Sequence, residues 1–360
     1  MELKLEDVDD LCTGAAFLGA GGGGDPYIGG LMVKEELMAG RRIEILDPDH
    51  LPDDDLVIPT AMMGAPTVLL EKIPSGEEPI LALRAVEAAL GRKAAATMPT
   101  EVGGINSTIP LFVGARLGVP VVDADGQGRA FPELQMETFA IEGVAGTPLG
   151  IADEKGDFAT IRTEDNHRME WIARGITIRM GGTAYFANYP MSGAEVKRAS
   201  VKHTLSLARS IGRIIRTSRR EKHDPFEELE AFIATTSYGR AKRIFSGKVV
   251  DLDRQTSRGF TLGAVTIAPD SGTGAHCTIT FQNENLCAKA DGALLAVVPD
   301  IITVLDAETA VPITNETLRY GQRVAVVAVG VPPIMRTPAA LKQFGPEAFG
   351  LEEAYVPLAG

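Results

Sequence analysis

The residues best equipped for chemistry gather in three short stretches. One is Pro99-Thr-Glu101-Val-Gly-Gly104-Ile-Asn106. A second is Asp123-Ala-Asp125-Gly-Gln-Gly128-Arg129-Ala-Phe-Pro132-Glu133. A third is Met63-Gly-Ala-Pro66, leading to Glu71. Carboxylates set close together in a partly dry site separate their pKa values, so that one donates a proton while the other accepts one. Each stretch follows a short apolar run that reads as a strand, at 56–59, 94–98 and 119–122. In an open parallel sheet, ligands bind beyond the carboxyl ends of the strands. Parallel neighbours would therefore bring Glu71, Glu101, Asn106, Asp123, Asp125, Arg129 and Glu133 around one cleft.

Each of these residues also has an ordinary role. Gly, Asp and Asn are common in turns, and an Asp at a strand end often caps the next helix. Arg129 is most simply an ion-pair partner that keeps the carboxylates from repelling one another. A fourth polar group, Gln282-Asn283-Glu284-Asn285, follows a strand candidate. It is either a solvated turn or a contribution of the second half of the chain to the same cleft.

The run Gly19-Ala-Gly21-Gly22-Gly23-Gly24 invites two readings. Gly19, Gly21 and Gly24 match G-x-G-x-x-G, with Asp47 about 20 residues beyond, the outline of a dinucleotide site. That motif must follow a strand, whereas residues 5–18 carry Leu5, Val8, Leu11, Cys12, Ala15 and Leu18 at helical spacing. A nicotinamide-dependent oxidoreductase is thus the weaker reading. The N–H groups of Gly21, Gly22, Gly23 and Gly24 could instead form a substrate- or oxyanion-binding nest. The plain alternative is a close helix–helix crossing. The five histidines, His50, His167, His203, His223 and His276, show no zinc-site spacing, and no metal is required. Oxygen ligands in the loops would still suit a hard divalent cation. Cys12, Cys277 and Cys287 form no disulfide framework.

The elements that must position these residues alternate. Helices are expected at 5–18, 28–39, from the Ser75-Gly-Glu-Glu78 capping signal to Gly91, and at 109–117 ahead of Gly118. Between them lie strands at 43–46, 56–59, 94–98 and 119–122. Alternation with short connections predicts a parallel sheet. Residues 191–217 read as one long helix with His203 in its apolar stripe. Beyond 241 the pattern turns to short strands at 244–250, 260–268, 277–282, 294–298 and 324–329, an antiparallel and barrel-like domain. The expected division is an α/β domain over 1–165, a connecting helical region over 166–240 packing on it, and a β-rich domain over 241–360.

Composition narrows the functions. With a net charge of −13, the chain lacks the basic surface that nucleic acid or anionic lipid requires. Residues 293–305 form the longest apolar stretch, too short to span a bilayer, and no signal peptide is read at residues 1–10. A cytoplasmic protein acting on a small molecule is expected.

The motifs at 18–26 (Leu-Gly-Ala-Gly-Gly-Gly-Gly-Asp-Pro), 101–106, 123–133, 281–286, 299–302 (Pro-Asp-Ile-Ile) and 345–350 (Gly-Pro-Glu-Ala-Phe-Gly) together resemble the S-methyl thiohydantoin desulfurase family. The resemblance runs from about residue 5 to 350. It implies an α/β N-terminal domain, a β-rich C-terminal domain, and hydrolysis of a thiohydantoin-like ring to a hydantoin with loss of a thiol or sulfide. Members often accompany hydantoinase-type proteins. An accessory subunit of a hydantoinase complex therefore stands beside the enzyme reading, and a homo-oligomer is expected. For a hydrolase, Glu101 or Asp125 would be the base. Asn106 and the glycine-run N–H groups would hold the ring carbonyl, and Arg129 would orient a carboxylate. Glu71, Asp123, Glu133, Asn283 and Glu284 would contact substrate.

Overall fold

Helices α1 (Asp7–Leu18) and α2 (Tyr27–Met38) flank the glycine run. Strands β1 (Ile45–Leu46), β2 (Leu56–Gly64), β3 (Ala96–Pro99) and β4 (Val121–Val122) follow, with α3 (Glu78–Leu90) and α4 (Ile109–Leu117) between them. The computed structural model describes residues 1–64, 68, 72, 74–257 and 260–358. The four strands run parallel in the order β1-β4-β3-β2, as the alternating pattern predicts. β2 is buried along nearly its whole length, which is why it reads as a continuous apolar run rather than an alternating one. The helix boundaries follow local chemistry. The Glu78 carboxylate accepts from the Ser75 N–H at 2.8 Å. Gly91 and Gly118 end α3 and α4 in the left-handed region, at φ 66° each, where a Cβ would be strained.

Beyond β2 the sheet changes direction. After β5 (Ala124–Asp125) and the short α5 (Thr138–Ile141) come β6 (Leu149–Ala152) and β7 (Phe158–Ile161), then α6 (Asn166–Arg179) and β8 (Thr183–Ala187). The order continues β2-β8-β6-β7, antiparallel throughout. The stretch 166–240 thus supplies strands to the first sheet as well as helices.

The long helix expected over 191–217 does not form. In its place are β9 (Met191–Ser192), α7 (Gly193–Ala199), β10 (Val201–Lys202) and α8 (Thr204–Glu221). The Ser192 hydroxyl and Glu195 carboxylate make a reciprocal cap on α7. Val201 and Lys202 pair with Asp125 and Ala124, and His203 turns the chain at φ 63°. Pairing across the molecule therefore overrides a continuous helical period. His203 is not packed in the core; its ring is about half exposed, with Nδ1 3.9 Å from Asp123 Oδ2.

After α9 (Pro225–Ile233), strands β11 (Ala241–Ser257), β12 (Phe260–Pro269), β13 (Cys277–Gln282), β14 (Glu284–Ala290), β15 (Ala293–Val297), β16 (Ile301–Asp306) and β17 (Arg323–Val329) precede α10 (Pro338–Phe344). They form an antiparallel sheet in the order β15-β14-β13-β12-β11-β17-β16, curled into a half-barrel that brings β14 toward β16. β14 and β16 were not anticipated. One apolar cluster joins the halves: Phe17, Phe131 and Ile211 pack in it with Val297, Ile301, Val329 and Phe344. No helix among the described residues is long and apolar enough to cross a membrane.

Candidate functional site

The loops after β3 and β4 meet. Asp125 Oδ2 accepts from the N–H groups of Val102 and Gly128 at 2.8 Å each, and of Gln127 at 3.3 Å. That carboxylate ties the 99–106 loop to the 123–133 loop, so Glu101 and Asp125 lie on one edge of the sheet as the strand-end argument requires. A small cavity of ≈60 Å³ opens between this edge and the second half of the chain. Glu101, Asn106, Gln127 and Glu133 line it from the first half; Asn283 and Glu284 line it from the start of β14.

Asn106 is placed by backbone recognition. Its Oδ1 accepts from the Met62 N–H at 2.7 Å and its amide donates to the Met62 carbonyl at 3.0 Å, continuing the edge of β2. The same amide donates to Glu101 Oε1 at 2.6 Å. Both amide hydrogens are thereby engaged, so Asn106 orients Glu101; the expected free donor to a ring carbonyl is not present there. The second oxygen of Glu101 has no hydrogen-bond partner among the described residues. Burial raises its pKa well above the usual carboxylate value, and the charge of Glu284 adds to the shift. Glu284 is held through Oε1 by the Gly23 N–H at 3.1 Å, with Oε2 unpartnered among the described residues. Burial raises it to about 8 against the opposing pull of Arg129.

Asp125 stands behind this cavity. It is fully buried, Oδ1 has no hydrogen-bond partner among the described residues, and burial pushes its pKa to about 7. Glu137, which the sequence did not single out, is buried beside it. Gln127 donates to one of its oxygens at 2.9 Å, and burial raises it well above the usual range. Nothing in the sequence separates Glu137 from the acids around it. The site also includes Arg174 of α6, whose guanidinium lines the cavity, donates to Glu170 at 2.6 Å and to the Pro132 carbonyl at 2.9 Å, and lies over Phe260. No strand-end argument reaches a residue on that helix.

Other sequence candidates are placed differently. Asp123 is outside the cavity: its carboxylate accepts from Ser206 N–H at 3.0 Å and Ser206 hydroxyl at 2.5 Å, capping α8. Arg129 makes no ion pair among the described residues. It donates to the carbonyls of Ala130, Pro299, Asp300 and Asn285 at 2.9–3.2 Å and stacks over Phe131. The expected neutralising partner is instead a clasp between the halves, because four carbonyls converge on it. Asn283 sits at φ 57° in the sharp corner before β14 and accepts from Thr261 N–H at 2.8 Å. Glu133 is half-buried at the cavity rim and accepts from the Gln135 amide. Glu71 lies outside the described residues.

The glycine run follows a helix, so it lacks the strand of a dinucleotide motif. It is mainly a seam. The Ala20 and Gly21 carbonyls accept from the N–H groups of Asn285 and Asn315 at 2.7 Å each, and Gly23 accepts from Ile105. A Cβ on Gly22 would meet Glu284 Oε1 at 2.3 Å. Gly23 reaches the cavity, and its N–H serves Glu284. Gly21, Gly22 and Gly24 are not in the cavity lining. The close helix crossing suggested for this run occurs elsewhere: a Cβ on Gly14 of α1 would lie 1.7 Å from the Ala208 carbonyl oxygen of α8. Among the described residues, Asp47, Asp49 and His203 can bring three ligand atoms together, away from the cavity.

Two family models, described as the S-Me-THD-like N-terminal and C-terminal domains, match residues 6–163 and 164–358. The chain belongs to the S-Me-THD-like family. This is the family the motifs resemble, and both of its domains are present in the expected order. The glycine seam and the 123–133 loop, which carry much of that resemblance, are the parts that join the two S-Me-THD-like domains. The fold is similar to the crystal structure of a protein from Chromobacterium violaceum, with a TM-score of 0.84, 27% identity and 100% of each chain covered. No curated protein matches the chain.

Proposed function

We propose that the protein hydrolyses the carbon–sulfur bond of an S-methylthiohydantoin-like ring. The supporting observation is the pair Glu101 and Glu284, two buried carboxylates from different halves facing one cavity, each held through one oxygen with the other oxygen unpartnered among the described residues. Mutual repulsion and burial favour a single negative charge on the pair, hence one base and one acid. Glu101, oriented by Asn106, takes a proton from water. The water oxygen bonds to the sulfur-bearing ring carbon while Glu284 protonates the adjacent ring nitrogen. The tetrahedral carbon then expels methanethiolate, which takes the proton held on Glu101, while the hydroxyl proton on that carbon passes to Glu284 as the carbonyl forms. Water and the S-methylated ring become a hydantoin and methanethiol. The Arg174 guanidinium is the charged donor at the cavity for developing negative charge. A small-molecule substrate with no required cofactor remains the reading; a divalent cation is tested by chelation.

The test is thiol release from S-methylthiohydantoin by purified protein, with and without chelator. Steady release that Glu101→Gln abolishes supports the assignment. A folded protein that releases no thiol alone, yet does so when a hydantoinase-type partner is added, would favour an accessory subunit instead.

A further inference from the structure

The cavity of ≈60 Å³ is far smaller than the ~300–1,000 Å³ typical of small-ligand sites. Its wall at Glu133 and Arg174 is also the wall of a much larger groove of ≈1030 Å³. The groove runs along the outer face of α6 toward Phe260 at the start of β12. Trp171 and Ile178, about two turns apart on that face, are 65% and 55% exposed, and Met180 and Phe260 continue the apolar lining. Exposed large apolar residues gathered beside a polar site are informative in a way that scattered ones are not. Gly175 lies between Trp171 and Ile178 on the groove floor, and a Cβ there would meet nothing within 4 Å.

We infer that this groove is a specificity subsite that takes a bulky apolar substituent, such as a benzyl group, carried on the ring of the substrate. The inference rests on the hydrolase reading for the ring's position. With the sulfur-bearing carbon between Glu101 and Glu284, a substituent on the far side of the ring leaves the small cavity over the Glu133–Arg174 wall. The stacked pair Arg174–Phe260, 4.6 Å from guanidinium carbon to ring centroid, forms the lip it crosses. Aromatic and aliphatic side chains then bury it, while Asp157, His167 and Arg179 leave the outer rim polar.

Trp171 is the sole tryptophan of the chain, so its emission reports the groove directly. The probes are 5-benzylhydantoin and 5-methylhydantoin, which cannot release thiol. The benzyl compound is expected to shift Trp171 emission saturably and to bind at least about 10-fold tighter than the methyl compound, the scale at which apolar pockets discriminate. Gly175→Leu fills the groove from its floor without meeting any neighbouring atom at Cβ. It should erase that preference while leaving melting temperature and 5-methylhydantoin binding intact. Equal affinities, or a preference that survives Gly175→Leu, would overturn the subsite. So would a Trp171 that iodide cannot quench in a protein sedimenting as a dimer, since a second copy would then occupy the groove. Benzyl-dependent emission without thiol release from any S-methylthiohydantoin would sink the hydrolase and retain the subsite. Thiol release at equal kcat/KM for benzyl- and methyl-substituted substrates would do the reverse.

Discussion

Glu101 and Asp125 illustrate how two similar carboxylates come to different tasks. Both were candidate bases on the strength of their loops. The sequence could not say which would face the cavity, because that depends on three N–H groups that converge on Asp125 only after β3 and β4 pair. Asp125 thus organises the loop that carries Glu101. Glu101→Gln is expected to lower turnover roughly 10²-fold or more, the usual scale for losing general acid–base catalysis, with circular dichroism unchanged. Asp125→Asn retains an acceptor oxygen for Val102 and Gly128 and should cost less than about 10-fold, whereas Asp125→Ala should cost both activity and stability. Asp125→Asn also has a pH signature. The folded protein holds the Asp125 proton more tightly than the unfolded chain does, with a pKa raised from 3.8 to about 7. Wild-type stability therefore falls as pH rises through that window, and the loss is complete above it. The melting temperature of Asp125→Asn relative to wild type should climb between pH 4 and pH 8. A constant difference across that range would show that Asp125 does not titrate there.

Among elements, the parallel core was readable because helical and strand periods alternate sharply from 40 to 125 and glycines close the helices. The stretch 191–217 was not. Its apolar spacing continues through Ser200-Val-Lys-His203 as though helical, while β10 pairing with β5 and the Asp123 cap on Ser206 restart the chain as α8. β14 was hidden by the polar run that opens it, Asn283 taking the left-handed corner and Glu284 turning inward. The glycines divide by the same logic. Gly22→Ala would drive Glu284 out of place, so thiol release per folded molecule should drop along with the melting temperature. Gly212 belongs to the α1–α8 crossing, where a Cβ would lie 1.8 Å from the Asp10 carbonyl oxygen. Gly212→Ala should destabilise by about 1–3 kcal/mol, the range for overpacking, with turnover per folded molecule unchanged. Denaturant titration beside single-concentration rates separates the two. Arg216 makes two bonds to Asp10 at 2.7 and 2.8 Å beside this crossing.

The two halves of the molecule are bound by shared structure more than by a linker. Arg129 donates to Asn285, Pro299 and Asp300 across the boundary, and the glycine seam accepts from the same side. A Lys at 129 carries the charge but cannot reproduce a planar fork aimed at several carbonyls. Arg129→Lys and Arg129→Ala are both expected to broaden or split the calorimetric unfolding transition, and a single sharp transition in Arg129→Ala would show that the clasp does not couple the halves. The first sheet makes the interdependence stricter. β8 is an interior strand of it, flanked by β2 and β6, yet it lies within the residues matched by the C-terminal family model. On a ribosome adding about 5–20 residues per second, β2 waits on the order of 10 s for β8 to be synthesised, with its apolar edge unpaired and the β6–β7 hairpin already made but unattached. An unpaired strand edge of that kind invites wrong partners. The order in which this sheet is delivered, rather than its final stability, therefore sets when the nascent chain most needs a chaperone: in the interval between the emergence of β2 and that of β8.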